Sequence, residues 1–148
     1  MKIMAVDYGD ARTGLAVCDR TEFLASPVGT IEERNAQILA MKVAHMAEQY
    51  EVGEIVIGLP VNMNGSEGPR AQKCRAFAET VQAVTELPVV MWDERSTTVS
   101  AHQILNETNV RGKKRKDVVD TVAAMLILES YLAYRRNVKA AANSDNND

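Results

Sequence analysis

The chain has 148 residues, a length that predicts one domain with a full hydrophobic core. Its hydrophobic fraction of 46% and charged fraction of 25% are typical of a soluble globular protein, and the net charge of −3 argues against a generic basic nucleic-acid coat. No apolar run approaches the length of a membrane span and no signal-peptide pattern is visible, which predicts a cytoplasmic protein without a membrane partner. Cys18 and Cys74 lie far apart, as expected for reduced thiols and not for a zinc site.

Strands are predicted where short apolar runs, rich in β-branched residues, are bounded by turn residues. In chain order these runs cover residues 2–8, 13–19, 23–30, 54–60 and 89–94. Helices are predicted where good helix formers dominate without internal breakers, over residues 33–50, 68–86, 97–108 and 117–135. One domain is predicted over residues 1–137, and the small, polar residues 138–148 are predicted to be a disordered tail.

The order of these elements predicts the fold class. The first three strands can form an antiparallel meander, with Pro27 confining the third to an edge. Strands then alternate with helices, which predicts right-handed crossovers and parallel pairing. The prediction is therefore an α/β protein with a mixed sheet and helices packed on its faces.

Acidic residues follow the ends of predicted buried strands. Asp7 ends the first strand, Asp93 and Glu94 end the last, and Asp117 and Asp120 share a face of the final helix. Sites in open α/β sheets lie at the carboxyl ends of strands, and converging carboxylates require protons or cations such as Mg²⁺ or Mn²⁺. Two such ions can activate a water and stabilise the leaving oxygen of a phosphodiester. The alternative, that the acids cap helices and occupy turns, is at least as good for Asp93 and Asp117.

Four stretches together resemble a known family. They are VDYGDARTGLAVCD, IVIGLPVNMNG, WDERSTT and VDTVAAMLILESYL, which begin at residues 6, 55, 92 and 119. In this order they resemble the YqgF/RuvX family of the ribonuclease H-like superfamily, to which the RuvC-type Holliday junction resolvases also belong. The resemblance implies a mixed five-stranded sheet with helices on both faces.

The resemblance also implies a site and an activity. Asp7, Glu94 and Asp120 fall on the family's catalytic, metal-binding positions, which implies Mg²⁺ or Mn²⁺ as cofactor. Asp117 stands where RuvC-type enzymes place a fourth acid, a position at which the YqgF pattern does not reliably carry one. The activity implied is a nuclease that matures the 5′ end of the 16S rRNA precursor, and a Holliday junction resolvase role is the alternative.

Several polar and cationic side chains are candidates to bind the substrate. Arg12 follows the turn after Asp7 and can hold a phosphate or balance a neighbouring acid; Asn62 and Arg95 lie in or beside loops on the site side. The basic segment, residues 111–116, is predicted to be a loop that holds the substrate backbone or a solvated charge run. Its cations are Arg111, Lys113, Lys114, Arg115 and Lys116. If the basic segment is solvated, Arg12, Arg70 and Arg95 remain as phosphate contacts.

Two functions of other classes fit part of the sequence. A phosphotransferase of the sugar-kinase type also begins with a strand, an aspartate and a glycine turn, but it needs two domains and a second phosphate loop. A catalytically silent RNA-binding assembly factor would be expected to have lost the three acids, and all are present. The sequence leaves open precursor rRNA or branched DNA as partner, and a monomer or a weak homodimer.

Overall fold

The structure, a computed structural model, describes residues 1–96 and 112–146; the side chains of residues 96, 112–120 and 143–146 lie outside the description. The strands are β1 (Ile3–Asp7), β2 (Arg12–Cys18), β3 (Ala25–Glu32), β4 (Glu54–Leu59) and β5 (Val89–Asp93). The helices are α1 (Ala36–Gln49), α2 (Pro69–Val84) and α3 (Gly112–Asn146), and a 3-10 turn covers Glu94–Ser96. The helix predicted over 97–108 lies outside the described residues.

The strands form one five-stranded sheet in the order β3-β2-β1-β4-β5. β1, β2 and β3 pair antiparallel as the predicted meander, whereas β4 pairs parallel with both β1 and β5. Pro27 lies on β3, which is an edge strand, because an edge tolerates a residue without an N–H. The predicted mixed five-stranded sheet is confirmed.

Successive side chains of each strand point to opposite faces of the sheet, and each face packs against its own hydrophobic core. Met4 and Val6 of β1 pack with α1 and α2 on one face, and Ile3 and Ala5 pack with α3 on the other. Helices therefore cover both faces, as the family resemblance implies. None of the helices within the described residues combines the length and the apolar character needed to cross a membrane.

The last helix is longer than predicted at both ends. It begins at Gly112, so residues 112–116 are helical and the prediction of a basic loop there was wrong. Lys and Arg are good helix formers, and their like charge did not outweigh this preference. The helix also continues to Asn146 through residues predicted to be a disordered tail, which include three consecutive alanines at 140–142. The assignment of residues 1–137 as the domain stays a prediction.

Buried carboxylates fix α3 at the edge of the sheet where β1 and β4 begin, the amino edge. Tyr131 donates a hydrogen bond to Glu54 Oε1 at 2.5 Å, and Arg135 Nε donates to Glu22 Oε1 at 2.6 Å. Lys139 Nζ also contacts Glu22, at 3.0 Å. Both carboxylates are buried, and each is paired. These contacts therefore fix the direction in which α3 crosses the sheet.

Replacement of Glu22 should lower stability in a pH-dependent way. The Arg135 guanidinium beside Glu22 lowers the pKa of that carboxyl from 4.5 to about 2. A lowered folded-state pKa stabilises the protein above the ordinary carboxyl pKa, and this stabilisation is lost as the pH falls from about 4.5 toward 2. Glu22→Gln should cost about 1–3 kcal/mol at pH 7 and weaken the acid dependence of the free energy of unfolding. Denaturant titrations between pH 2 and 7 measure both, with exposed Glu79→Gln as the control; equal pH profiles for Glu22→Gln and the wild type would contradict the assignment.

Candidate active site at the carboxyl edge of the sheet

Asp7 lies between two strand positions that have no side chain. It pairs with Gly14 of β2, and on the other side Gly58 of β4 directly follows Ile57, which the parallel register aligns with Val6. All three positions face α3, because Ala5 and Ala16, two residues away along their strands, belong to the α3 core. The half-buried Asp7 carboxylate therefore stands in a shallow space at the end of β1.

Glu94 occupies the space above Gly58. It follows β5 in the 3-10 turn, and a Cβ built on Gly58 would overlap Glu94 Oε1 and lie 2.6 Å from Cδ1 of Ile127. Adjacent strands are about 4.8 Å apart, so the carboxylates of Asp7 and Glu94 share one face at the carboxyl edge of β1 and β4. The structure places these two predicted site residues on the same face and at the same edge of the sheet.

Glu94 is a half-buried carboxylate without a direct ion-pair partner among the described residues. Burial raises the pKa of the Glu94 carboxyl; the charge of Arg70 opposes this rise, and Asp93 adds to it. Within the described part of the chain, no hydrogen-bond donor and no cation is in direct contact with the Glu94 carboxylate. A half-buried carboxylate in this setting fits a cation that binds through oxygen.

The third predicted acid is carried by α3. Ile127 lies over Gly58 and Tyr131 reaches Glu54, so α3 runs antiparallel to β4, and its earlier turns extend past the carboxyl edge. Position 120 lies four residues before buried Ala124, and hence on the helical stripe that faces the sheet, about 10 Å along the axis from Ile127. The side chains of Asp117 and Asp120 lie outside the described residues. Among the described side chains, no three acidic, histidine or cysteine groups are arranged to hold a metal.

Arg70 fixes the hairpin turn beside Asp7. Its Nη2 donates to the carbonyl of Tyr8, its Nη1 contacts Asp10 Oδ1 at 3.1 Å, and its guanidinium lies 5.0 Å from the centre of the Tyr8 ring. The Tyr8 ring in turn stacks on Phe77 at 4.3 Å. Arg70 is thereby tied to the residue that follows Asp7, and its positive charge acts on Glu94.

Arg12, a predicted substrate contact, starts β2 at the same edge. Its Nη2 forms an ion pair with Glu32 Oε1 at 2.9 Å, because the β2–β3 register places these residues opposite each other. The Arg12 side chain is 17% exposed and that of Glu32 is 61% exposed. The guanidinium is thus oriented by an exposed carboxylate of the neighbouring strand.

Arg95 and Asn62 connect β5 to the loop after β4. Arg95 contacts both carboxylate oxygens of Asp93, at 2.7 Å for Nη2–Oδ2, and its Nη1 is 3.4 Å from the carbonyl oxygens of Asn62 and Met63. Asn62 Nδ2 donates to Ser66 Oγ at 3.0 Å within that loop. Asp93 also accepts the Arg95 N–H at 2.9 Å, the capping role given as its alternative. These predicted substrate contacts therefore also stabilise the rim of the site.

The basic segment lies partly outside the description. Arg111 is not among the described residues, and the backbone of 112–116 forms the first turns of α3. The side chains of Lys113, Lys114, Arg115 and Lys116 lie outside the described residues, so their role as phosphate contacts stays a prediction.

Two features of the site were missed from the sequence. The sequence pattern predicts a buried strand that includes Gly58, although a glycine inside a strand is itself a signal of close approach. Asp10 and Lys73 lie in separate elements, and their contact depends on how α2 packs against the hairpin, which no local pattern predicts.

Substitution of Gly58 should disturb Glu94 specifically. Gly58→Ala forces the new methyl group against Glu94 and Ile127, and we expect a loss of about 1–3 kcal/mol in the free energy of unfolding. Gly68→Ala is the matched control, because its Cβ would lie 3.8 Å from the nearest atom that is not its own chain neighbour. Denaturant titration compares the two variants. Equal stabilities would contradict the close packing of Glu94 on β4.

The sequence matches a family model and named relatives over nearly its whole length. The family model is described as "RuvX: Holliday junction resolvase" and matches residues 1–134. A protein of Halothermothrix orenii named "Putative pre-16S rRNA nuclease" is 42% identical over 138 residues, which cover 93% of this chain and 99% of the relative. A protein of the same name from Listeria monocytogenes is 44% identical over 134 residues, covering 89% of this chain and 97% of the relative.

Solved structures agree in fold. RuvC of Thermus thermophilus, in complex with a Holliday junction substrate, superposes with a TM-score of 0.60 at 11% identity, covering 90% of this chain and 96% of that one. The fowlpox virus Holliday junction resolvase superposes with a TM-score of 0.53 at 15% identity, covering 90% of this chain and 99% of that one. At such identities the likeness shows the ribonuclease H-like fold alone. The match to the family model and the two close relatives confirm the resemblance carried by the sequence motifs, and the chain belongs to the RuvX family.

Proposed function

We propose that this protein is a cytoplasmic, metal-dependent nuclease that hydrolyses phosphodiester bonds and matures the 5′ end of the 16S rRNA precursor. The observation that carries the proposal is the Glu94 carboxylate, which is held over Gly58 at the carboxyl edge that also carries Asp7 and has no direct partner among the described residues. The names of relatives at about 40% identity support the choice of substrate.

The donor set fits a hard divalent cation. Asp7, Glu94 and Asp120 would hold Mg²⁺ or Mn²⁺ through carboxylate oxygens, with Asp117 as a candidate fourth ligand. A pair of such ions, when bound, supplies an activated water and stabilises the leaving oxygen. The chain itself supplies the rest: the missing side chain at Gly58 leaves room for Glu94 to stand over β4, next to the strand that ends on Asp7.

Cations around this edge would position the substrate. Arg12 is already oriented by Glu32 and offers a fork for a phosphate oxygen. The basic segment would contact the nucleic-acid backbone along the start of α3. Asn62 and Arg95 would contact it from the loop after β4, at the same edge of the sheet. These groups position the nucleic acid, whereas Asp7, Glu94 and Asp120 carry the chemistry.

Resolution of a four-way DNA junction is the second candidate, favoured by the description of the family model. Cutting two symmetric strands calls for two sites, so this activity predicts a homodimer, whereas processing of one RNA end is open to a monomer. Cleavage of precursor rRNA and of a synthetic four-way junction by the same purified protein, with its mass measured in solution, distinguishes the two. Binding of either substrate without cleavage would favour the silent assembly factor.

Removal of the Asp7 charge should abolish cleavage and preserve the fold. We expect Asp7→Asn to lose activity with Mg²⁺ and with Mn²⁺, as the wild type does in EDTA, because the site then lacks a carboxylate ligand. Without metal, its free energy of unfolding should equal or exceed that of the wild type, since one negative charge is removed from the proposed acidic cluster. Cleavage assays and denaturant titrations in EDTA measure the two effects. A marked loss of stability without metal would instead make Asp7 a structural residue.

Neutralising the basic segment should weaken binding without slowing turnover. In Lys113→Ala/Lys114→Ala/Lys116→Ala, the slope of log K against log salt should become shallower by about 0.7–0.9 per lost contact. Turnover at saturating substrate should change little, because these groups do not touch the leaving oxygen.

The matched control retains the charge, with Lys113→Arg/Lys114→Arg/Lys116→Arg, and should keep the wild-type slope. Titrations at several salt concentrations decide the matter. If the alanine variant kept the wild-type affinity and slope, the basic segment would be a solvated charge run.

A further inference from the structure

Two cations of α2 meet one carboxylate at the edge of the sheet that carries Asp7. Arg70 Nη1 lies 3.1 Å and Lys73 Nζ 3.6 Å from the same oxygen, Oδ1 of Asp10. Position 10 lies three residues after Asp7, on the β1–β2 hairpin. Arg70 and Lys73 are three apart and so project from one face of their helix.

All three side chains are open to solvent, but Arg70 does not depend on Asp10 for its orientation. The side chains of Asp10, Lys73 and Arg70 are 61%, 58% and 38% exposed. Arg70 is separately held by the carbonyl of Tyr8 and by the Tyr8 ring, which is itself stacked on Phe77. Without Asp10, the Nη1 edge of Arg70 would therefore keep its direction.

A carboxylate oxygen between a guanidinium and an ammonium group has the geometry of a bound phosphate oxygen. An exposed ion pair is also weak, so a competing anion can replace its acidic member. The exposed Asp10 side chain can rotate away into solvent without movement of the backbone, whereas the two cations stand on a helix whose other face is packed in the core.

We infer that Arg70 and Lys73 form a binding site for a backbone phosphate of the nucleic-acid substrate, and that Asp10 occupies this site until the substrate displaces it. The site would hold the strand on the α2 side of Asp7, away from the basic segment on α3. This inference rests on the proposed nuclease function, although the binding it describes is measurable without catalysis.

The test compares two charge-neutralising variants in EDTA, where no metal-dependent cleavage occurs. Asp10→Asn should tighten binding about two- to fivefold, the range expected from removal of a competing exposed ion pair. Lys73→Gln should weaken binding and reduce the salt slope by about 0.7–0.9, and its effect should be larger in the Asp10→Asn background, where Lys73 is no longer neutralised.

The matched controls are Glu51→Gln and Arg20→Gln. These residues form an exposed ion pair with a separation of 3.7 Å at the amino edge of the sheet, so they repeat the two charge changes far from Asp7. If the variants acted only through the net charge, the control variants would change the affinity by the same factors. The probes are a labelled RNA spanning the mature 5′ end of 16S rRNA and a synthetic four-way DNA junction.

A selective effect of Asp10→Asn and Lys73→Gln on either probe supports the site and shows which nucleic acid supplies the phosphate. The inference would be overturned if, on both probes, the change in affinity for Asp10→Asn equalled that for Glu51→Gln, or the change for Lys73→Gln equalled that for Arg20→Gln. It would also be overturned if neither probe bound the wild type. Selective binding effects in a protein that cleaves neither probe would leave the phosphate site standing and reject the nuclease function. Conversely, if the protein cleaves a probe but its affinity does not change with Asp10→Asn or Lys73→Gln, the nuclease function stands and the phosphate site is rejected.

Discussion

The rest of the site depends on the absence of side chains on one face of the sheet. At Gly58, a single methyl group would meet both Glu94 and Ile127, so one small position admits the carboxylate and the helix together. Gly14, which pairs with Asp7 on the other side, also carries no side chain. Because α3 approaches the sheet through Ala5, Ala16 and Ala124, the packing of α3 and the placement of the acids are one constraint.

The two edges of the sheet treat buried charge in opposite ways. At the amino edge, Glu22 and Glu54 are satisfied by Tyr131, Arg135 and Lys139. At the carboxyl edge, Glu94 has no direct partner among the described residues, and burial raises the pKa of its carboxyl. The contacts at the amino edge fix the direction of α3, and α3 carries position 120 toward the carboxyl edge, about 16 Å along its axis from Tyr131. Stability gained at one end thus allows unfavourable charge to be held at the other.

The sequence predicted the strands, their mixed pairing and the placement of Asp7 and Glu94 at one edge, because short β-branched runs and alternation with helices are local signals. It failed where two local preferences compete. Residues 112–116 combine like charge with good helix propensity. They are helical because they extend a helix whose later turns pack against the sheet. It also failed for partners across elements: Arg12 meets Glu32 through a register that includes a bulge between Leu15 and Ala16, which no local pattern fixes.

Candidate phosphate contacts at the carboxyl edge are already paired with exposed or half-exposed carboxylates. Arg12 pairs with Glu32, Arg70 with Asp10 and Arg95 with Asp93. Substrate binding at such an edge is an exchange of carboxylate for phosphate, so each contact adds less affinity than a bare cation would. The guanidinium groups are nevertheless oriented in advance, which lowers the entropy lost on binding. An anion that reaches only one pair gains little, whereas a nucleic-acid backbone that reaches several exchanges them together, and selectivity for an extended strand follows from the pairing itself.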